Sequence, residues 1–185
     1  MSSVEKGFVF KITIIGDAAV GKTSLIRKYT KGEFQKQYIS TLGTQFSRYE
    51  EVVDGIKIEL ILWDIAGQAA YEVMRQNFYT GSSGAIIVFS HAPEQAKSFN
   101  NIERWLSEVK EHCGNIPIML FGNKIDLVNE EELRINHNIA TSDTNVQNYI
   151  QSKKIHEYYK TSALTGKGVT EAFQSLVKVL YSKSK

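Results

Sequence analysis

Apolar positions along this chain switch repeatedly between the period of a strand and that of a helix. Residues 8–15 form a β-branched and aromatic run, stopped by Gly16, that predicts a first strand. A helix is expected to open near Gly21 and run to about Lys31. Residues 46–53 and 56–63 flank Asp54-Gly55, a pair suited to a two-residue hairpin turn because both positions tolerate positive φ. In the second arm Ile56, Ile58, Leu60 and Leu62 alternate with Lys57 and Glu59, and Ile61 then thickens the run. That is the pattern of a strand entering a core. Residues 85–90 and 118–122 are unbroken apolar runs, as strands covered on both faces require. Residues 94–112 carry Ile102, Trp105, Leu106 and Val109 at helical spacing and predict one helix. Residues 145–153 read as a short helix and residues 158–161 as a last, more polar strand. Residues 168–181 place Val169, Ala172, Phe173, Leu176, Val177 and Leu180 on one stripe of an amphipathic helix.

Strand-then-helix order repeated in this way implies an α/β fold of three layers. The expected sheet has six strands, mostly parallel, with one antiparallel hairpin strand and helices on both faces. The chain of 185 residues suits one domain spanning residues 1–185, with no repeats and no proline-rich linker. A net charge of +2 gives no strong sequence-independent pull toward nucleic acid. Cys113, the one cysteine, cannot staple the fold, which suits a reducing compartment, and it reads as a small residue near a helix end. The first residues have no apolar segment of a secretory leader, and no run approaches the ~20 residues needed to cross a bilayer. The expectation is a soluble, cytoplasmic monomer. His91, His112, His137 and His156 share no metal-ligand spacing and are expected at the surface or as caps.

In such sheets ligands gather beyond the carboxyl ends of the strands, and there the chemistry-bearing residues fall. Gly16-Asp17-Ala18-Ala19-Val20-Gly21-Lys22-Thr23 follows the first strand and opens a helix. It is a P-loop: glycines let backbone N–H groups curl around a β-phosphate, and the helix N-terminus adds partial positive charge. Lys22 supplies a point charge to the β- and γ-phosphates, and the Thr23 hydroxyl is offered to Mg²⁺. Trp63-Asp64-Ile65-Ala66-Gly67-Gln68 ends another strand. There Asp64 can hold a metal-bound water, Gly67 can approach a γ-phosphate, and Gln68 can orient an attacking water. After residues 118–122 comes Asn123-Lys124-Ile125-Asp126. A carboxylate at Asp126 accepts two parallel N–H bonds from guanine N1 and N2, a pattern adenine cannot offer. Asn123 is expected to tie loops together and reach N7, the Lys124 stem to lie over the ring, and the Ala163 N–H of Thr161-Ser162-Ala163 to meet O6.

With these motifs in order, the chain resembles a Ras-superfamily small GTPase, most similar to the Rab branch, over roughly residues 8–181. The resemblance also rests on Tyr38-Ile39-Ser40-Thr41-Leu42-Gly43 and Phe46. It implies GTP and GDP as ligands with Mg²⁺ as cofactor, and hydrolysis of GTP by a molecular switch in membrane traffic or signalling. It assigns catalysis to Gln68, Lys22 and Thr41, and the metal to Thr23, Thr41 and Asp64. Nucleotide contacts fall on Asp17, Ala18, Ala19, Val20, Gly21, Lys22, Thr23, Ser24, Phe34, Thr41, Gly67, Asn123, Lys124, Asp126, Ser162, Ala163 and Leu164.

Residues 33–46 and 65–79 would be two switch segments that meet an exchange factor, a GTPase-activating protein and effectors. Ala69-Ala70-Tyr71 stands where Rab proteins usually carry Glu-Arg-Phe, which removes two charges from that surface. Ala18 could crowd Gln68, so a slowly hydrolysing, GTP-bound adaptor is the rival reading, and an ATP-using P-loop kinase a more distant one. Residues 128–145 form a longer, acidic and then polar stretch than is usual. Tyr181-Ser182-Lys183-Ser184-Lys185 carries no cysteine, so membrane contact is expected only through a lipidated tail not seen in this sequence.

Overall fold

Six strands alternate with helices from the first described residues onward. The structure, a computed structural model, describes residues 7–34 and 42–185. The strands are β1 (Phe8–Gly16), β2 (Thr44–Val53), β3 (Ile56–Ile65), β4 (Gly84–Ser90), β5 (Ile118–Asn123) and β6 (Glu157–Lys160). The helices are α1 (Lys22–Lys31), α2 (Glu72–Tyr79), α3 (Lys97–Asn100), α4 (Ile102–Cys113), α5 (Glu130–Ile135), α6 (Asp143–Lys153) and α7 (Val169–Ser184). They build one sheet of order β2-β3-β1-β4-β5-β6. Only β2 runs against its neighbour, pairing Val53 with Ile56 across the hairpin. Asp54 and Gly55 both take positive φ (52° and 80°), the left-handed pair that a twisted hairpin needs.

Alternation along the central strands sends side chains into two cores. Phe10, Ile12 and Ile14 of β1, Ile86 and Val88 of β4, and Met119 and Phe121 of β5 pack against Leu25, Ile26 and Tyr29 of α1 and the apolar stripe of α7. On the opposite face Ile15, Ile87, Phe89, Ile118 and Leu120 pack against Tyr79 of α2, Trp105, Leu106 and Val109 of α4, and Val146 and Ile150 of α6. Every residue of β4 and β5 is buried, which is why both read as unbroken apolar runs. The result is the three-layer α/β fold expected.

The helix expected over residues 94–112 is not continuous. A 3₁₀ turn over Pro93–Gln95 and the single turn of α3 precede α4, and Asn101 between them sits at φ −87°, ψ −3°. The cause is a tether to the sheet: the Ser90 N–H donates to the Ser98 hydroxyl (3.0 Å), which itself donates to Gln95 O (2.6 Å). Two helices were not read from sequence. α2 lies in the expected second switch segment, and α5 lies within residues 128–145, capped where the Asn129 side chain accepts the Glu131 N–H at 3.0 Å. The parallel strands β1, β3, β4, β5 and β6 all end toward one edge, so the loops that follow them converge there.

Candidate nucleotide site

The loop after β1 turns on two glycines in backbone conformations that residues with a side chain rarely adopt. Gly16 takes φ 137°, and a Cβ there would lie 2.1 Å from Val88 O. Gly21 caps α1 at φ 102°, and its Cβ would meet Asn123 Nδ2 at 2.3 Å. Between them Ala19 takes positive φ, Ala18 is exposed, and Val20 is fully buried and anchors the loop in the core. Lys22 is 6% exposed and folds back on this loop, its Nζ donating to Gly16 O (2.8 Å) and Asp17 O (2.7 Å). Burial lowers its pKa to about 8, against the opposing pull of Asp64 and Asp17, so it stays cationic at neutral pH. The next residue, Thr23, donates its hydroxyl to Asp64 Oδ2 at the end of β3, and Ser24 follows half-buried on α1. A buried ammonium, a helix N-terminus and a hydroxyl–carboxylate pair are thus gathered in one place. That is an arrangement for a polyphosphate with a hard cation.

Gly67 presses onto the same loop: its Cβ would come 2.3 Å from Gly16 O and 2.6 Å from Ala18 N. Gln68 follows, half-buried, with its carbonyl accepting from Arg75 at 3.0 Å. Thr41 lies outside the described residues, as do Tyr38, Ile39 and Ser40. Phe34 is exposed just beyond α1.

Asn123 joins the loop after β1 to the loops expected from the sequence to read a base. Its Nδ2 donates to Val20 O at 2.9 Å, while its Oδ1 accepts the Ala163 N–H at 3.2 Å. The Ala163 N–H, expected to meet guanine O6, is therefore directed at Asn123 in this structure. Lys124 takes φ 62°, and its Nζ donates to Gln95 Oε1 at 2.7 Å; burial lowers its pKa. Asp126 is exposed, and its Oδ1 accepts from the buried Ser162 hydroxyl at 2.5 Å. Leu164 is exposed beside it in sequence at the end of the Thr161-Ser162-Ala163 loop.

This geometry goes with a family match along nearly the whole chain: a model of the Ras family matches residues 11–182. The chain belongs to the Ras family. It is a small GTPase, binding guanine nucleotide and converting GTP to GDP and phosphate. GTP-binding protein ypt3 of Schizosaccharomyces pombe is 36% identical over 178 residues, which cover 96% of this chain and 78% of that protein. Ras-related protein RABA2a of Arabidopsis thaliana is 35% identical over 178 residues, covering 96% and 77%. Ras-related protein YPTC6 of Chlamydomonas reinhardtii is 34% identical over 175 residues, covering 94% and 76%. The expected resemblance to Rab-type small GTPases is borne out, and membership of the family speaks against the adaptor rival.

Several side chains near the candidate site were missed or misplaced by sequence reasoning. Asn101 and Trp105 both donate to the Asp17 carboxylate, at 2.6 and 2.8 Å, though Trp105 reads from spacing as core alone. Arg75 is 1% exposed and Glu108 is its partner at 3.0 Å, a pair that helical periodicity does not announce. His91 is not at the surface as expected. It is 5% exposed, with Nε2 2.9 Å from the Tyr158 hydroxyl and its backbone N–H donating to Asn123 O at 2.8 Å. It follows β4 directly, and the tight β4–β5 pairing carries it inside.

Proposed function

We propose that this chain is a single GTPase domain over residues 1–185 that works as a Rab-like nucleotide switch, with Mg²⁺ as its cofactor. The observation that carries the reading is Asn123, whose amide spans from the phosphate loop at Val20 to the base loop at Ala163. A nucleotide must be gripped at both ends, and this side chain sets the distance between the two grips.

The Thr23 hydroxyl and Asp64 carboxylate are oxygen donors of the hard kind that Mg²⁺ takes, and they already meet at the helix N-terminus. They would hold the ion together with Thr41, and the ion supplies positive charge to the β- and γ-phosphate oxygens. Loop N–H groups from Asp17 to Ser24, with the Lys22 ammonium, bind the phosphates and stabilise charge as the bond to the leaving GDP breaks. Gln68 orients a water for in-line attack on the γ-phosphorus, and Thr41 closes over the phosphate. Asp126 takes the guanine N1 and N2 hydrogens, with Ser162 holding the carboxylate in place. Asn123, Lys124, Ala163, Leu164 and Phe34 surround the base. Loss of the γ-phosphate loosens the contacts of Thr41 and Gly67, and the two segments 33–46 and 65–79 then present a changed surface to exchange factors, activating proteins and effectors. The protein is a cytoplasmic monomer that reaches a membrane only through a lipidated tail, and no nucleic acid is a partner.

The test is base specificity. Asp126→Asn is expected to weaken GDP binding by ~10²-fold or more and to shift preference toward xanthine nucleotide, whose O2 accepts where guanine N2 donates. Competition with GDP, XDP and ADP reads this directly. An unchanged preference for guanine over xanthine would remove Asp126 from the base site.

A further inference from the structure

We infer that Arg75 is a positioning residue for Gln68, setting the water-orienting glutamine against the phosphate loop through the ring of Trp105. This rests on the proposed role of Gln68. The Arg75 guanidinium is fully enclosed and donates from all three of its nitrogens. One N–H donates to Gln68 O at 3.0 Å, and a fork of two donates to the Glu108 carboxylate at 3.0 and 3.2 Å. Its Cζ lies over the Trp105 ring, 4.8 Å from the centroid. The same ring donates its indole N–H to Asp17 Oδ1 at 2.8 Å, and Asn101 fills the other oxygen. Asp17 is the second residue of the phosphate loop.

One rigid indole on α4 therefore registers both parts: the loop that would hold the phosphates and the segment that carries Gln68. Glu108 is fixed in turn by the Tyr79 hydroxyl at 2.8 Å, so the guanidinium cannot swing without breaking a pair that is mostly buried. A planar, five-donor fork is needed here; an ammonium reaches one carboxylate but cannot serve Glu108 and Gln68 O in one plane. Because the contact is to the backbone of Gln68, Arg75 places the residue without engaging its side-chain amide.

The test is a double-mutant cycle on GTP-loaded protein, with GDP affinity measured in parallel. Single-turnover hydrolysis is compared for wild type, Gln68→Leu, Arg75→Met and the double variant. Arg75→Met is expected to slow hydrolysis ~10-fold while GDP affinity stays within about threefold, since misplacement near the reacting atoms costs rate rather than binding. In the Gln68→Leu background the same change is expected to cost less than about twofold, the non-additivity of residues that act as a unit. Equal losses in both backgrounds, or an Arg75→Met rate equal to wild type, overturn the inference while Gln68 keeps its role. A Gln68→Leu rate equal to wild type removes the role of Gln68 itself, and the inference with it. Should Arg75→Met yield too little folded protein, Arg75→Lys replaces it, with a slowing of a few-fold that again disappears in the Gln68→Leu background; a loss that persists there overturns the inference equally.

Discussion

His91 shows how a single side chain can depend on its surroundings for its chemistry. Its ring lies inside the protein, against Phe89 and the Tyr158 hydroxyl, and Nδ1 has no hydrogen-bond partner among the described residues. Burial, with Lys160 nearby, lowers its pKa from 6.5 to about 4. The folded protein thus keeps His91 neutral where the unfolded chain would protonate it. The unfolded state binds more protons between pH 6.5 and 4, so stability falls as the pH drops through that window. His91→Gln is expected to lose this slope, and the difference from wild type should reach about 3 kcal/mol at pH 4. Urea unfolding of both proteins from pH 7 to pH 4 measures it. Lys22 is likewise lowered by burial, to about 8, with Asp64 and Asp17 pulling the other way. The sequence announces Lys22, because Gly21-Lys22-Thr23 has a fixed spacing with a mechanical reason. It does not announce His91 or Arg75, because nothing local marks a residue that the packing of distant elements encloses.

At the level of elements, α7 was legible almost to its ends, since its stripe repeats cleanly and Gly168 caps it at φ 67°. Its central ring, Phe173, stacks on Tyr29 of α1 with centroids 4.3 Å apart and meets Phe121 of β5 edge-on at 5.4 Å. Phe173→Ala is expected to cost about 3–5 kcal/mol, because it leaves a cavity between three elements that cannot collapse together. The midpoint of a urea transition checks this, and an effect below about 1 kcal/mol would mean that α7 repacks. The stretch over residues 94–112 was less legible. Its apolar spacing is right for α4, and Ile102, Trp105, Leu106 and Val109 are all buried. The break before Ile102 comes from Ser98 and Ser90, which bond across elements and leave no mark in the periodicity. α2 was hidden for a related reason: only Arg75 and Tyr79 of its eight residues are buried, and one of those two is a charged residue.

Across the whole molecule, stability and ligand are linked, because the binding loops follow strands of the common sheet and are unassembled in the unfolded chain. GDP with Mg²⁺ is expected to raise the melting free energy by about 2.7 kcal/mol at a hundredfold excess over Kd, and ADP at the same concentration to leave it unchanged. Thermal unfolding with each nucleotide tests this, and equal stabilisation by ADP would contradict the assignment of Asp126. Among the described residues no helix is long and apolar enough to cross a membrane. By itself the sequence determined the alternation of strands and helices, the hairpin at Asp54-Gly55, and the motifs at Gly16, Asp64 and Asn123. These are local matters of periodicity, backbone freedom and fixed spacing. Only the tertiary structure decided that Asn123 would bridge Val20 and Ala163, and that the Trp105 indole would hold Asp17 while its face meets Arg75. Those contacts join residues between 30 and 103 positions apart in the chain. Partners so distant are chosen by how the sheet orders its strands, and no short window of sequence contains that order.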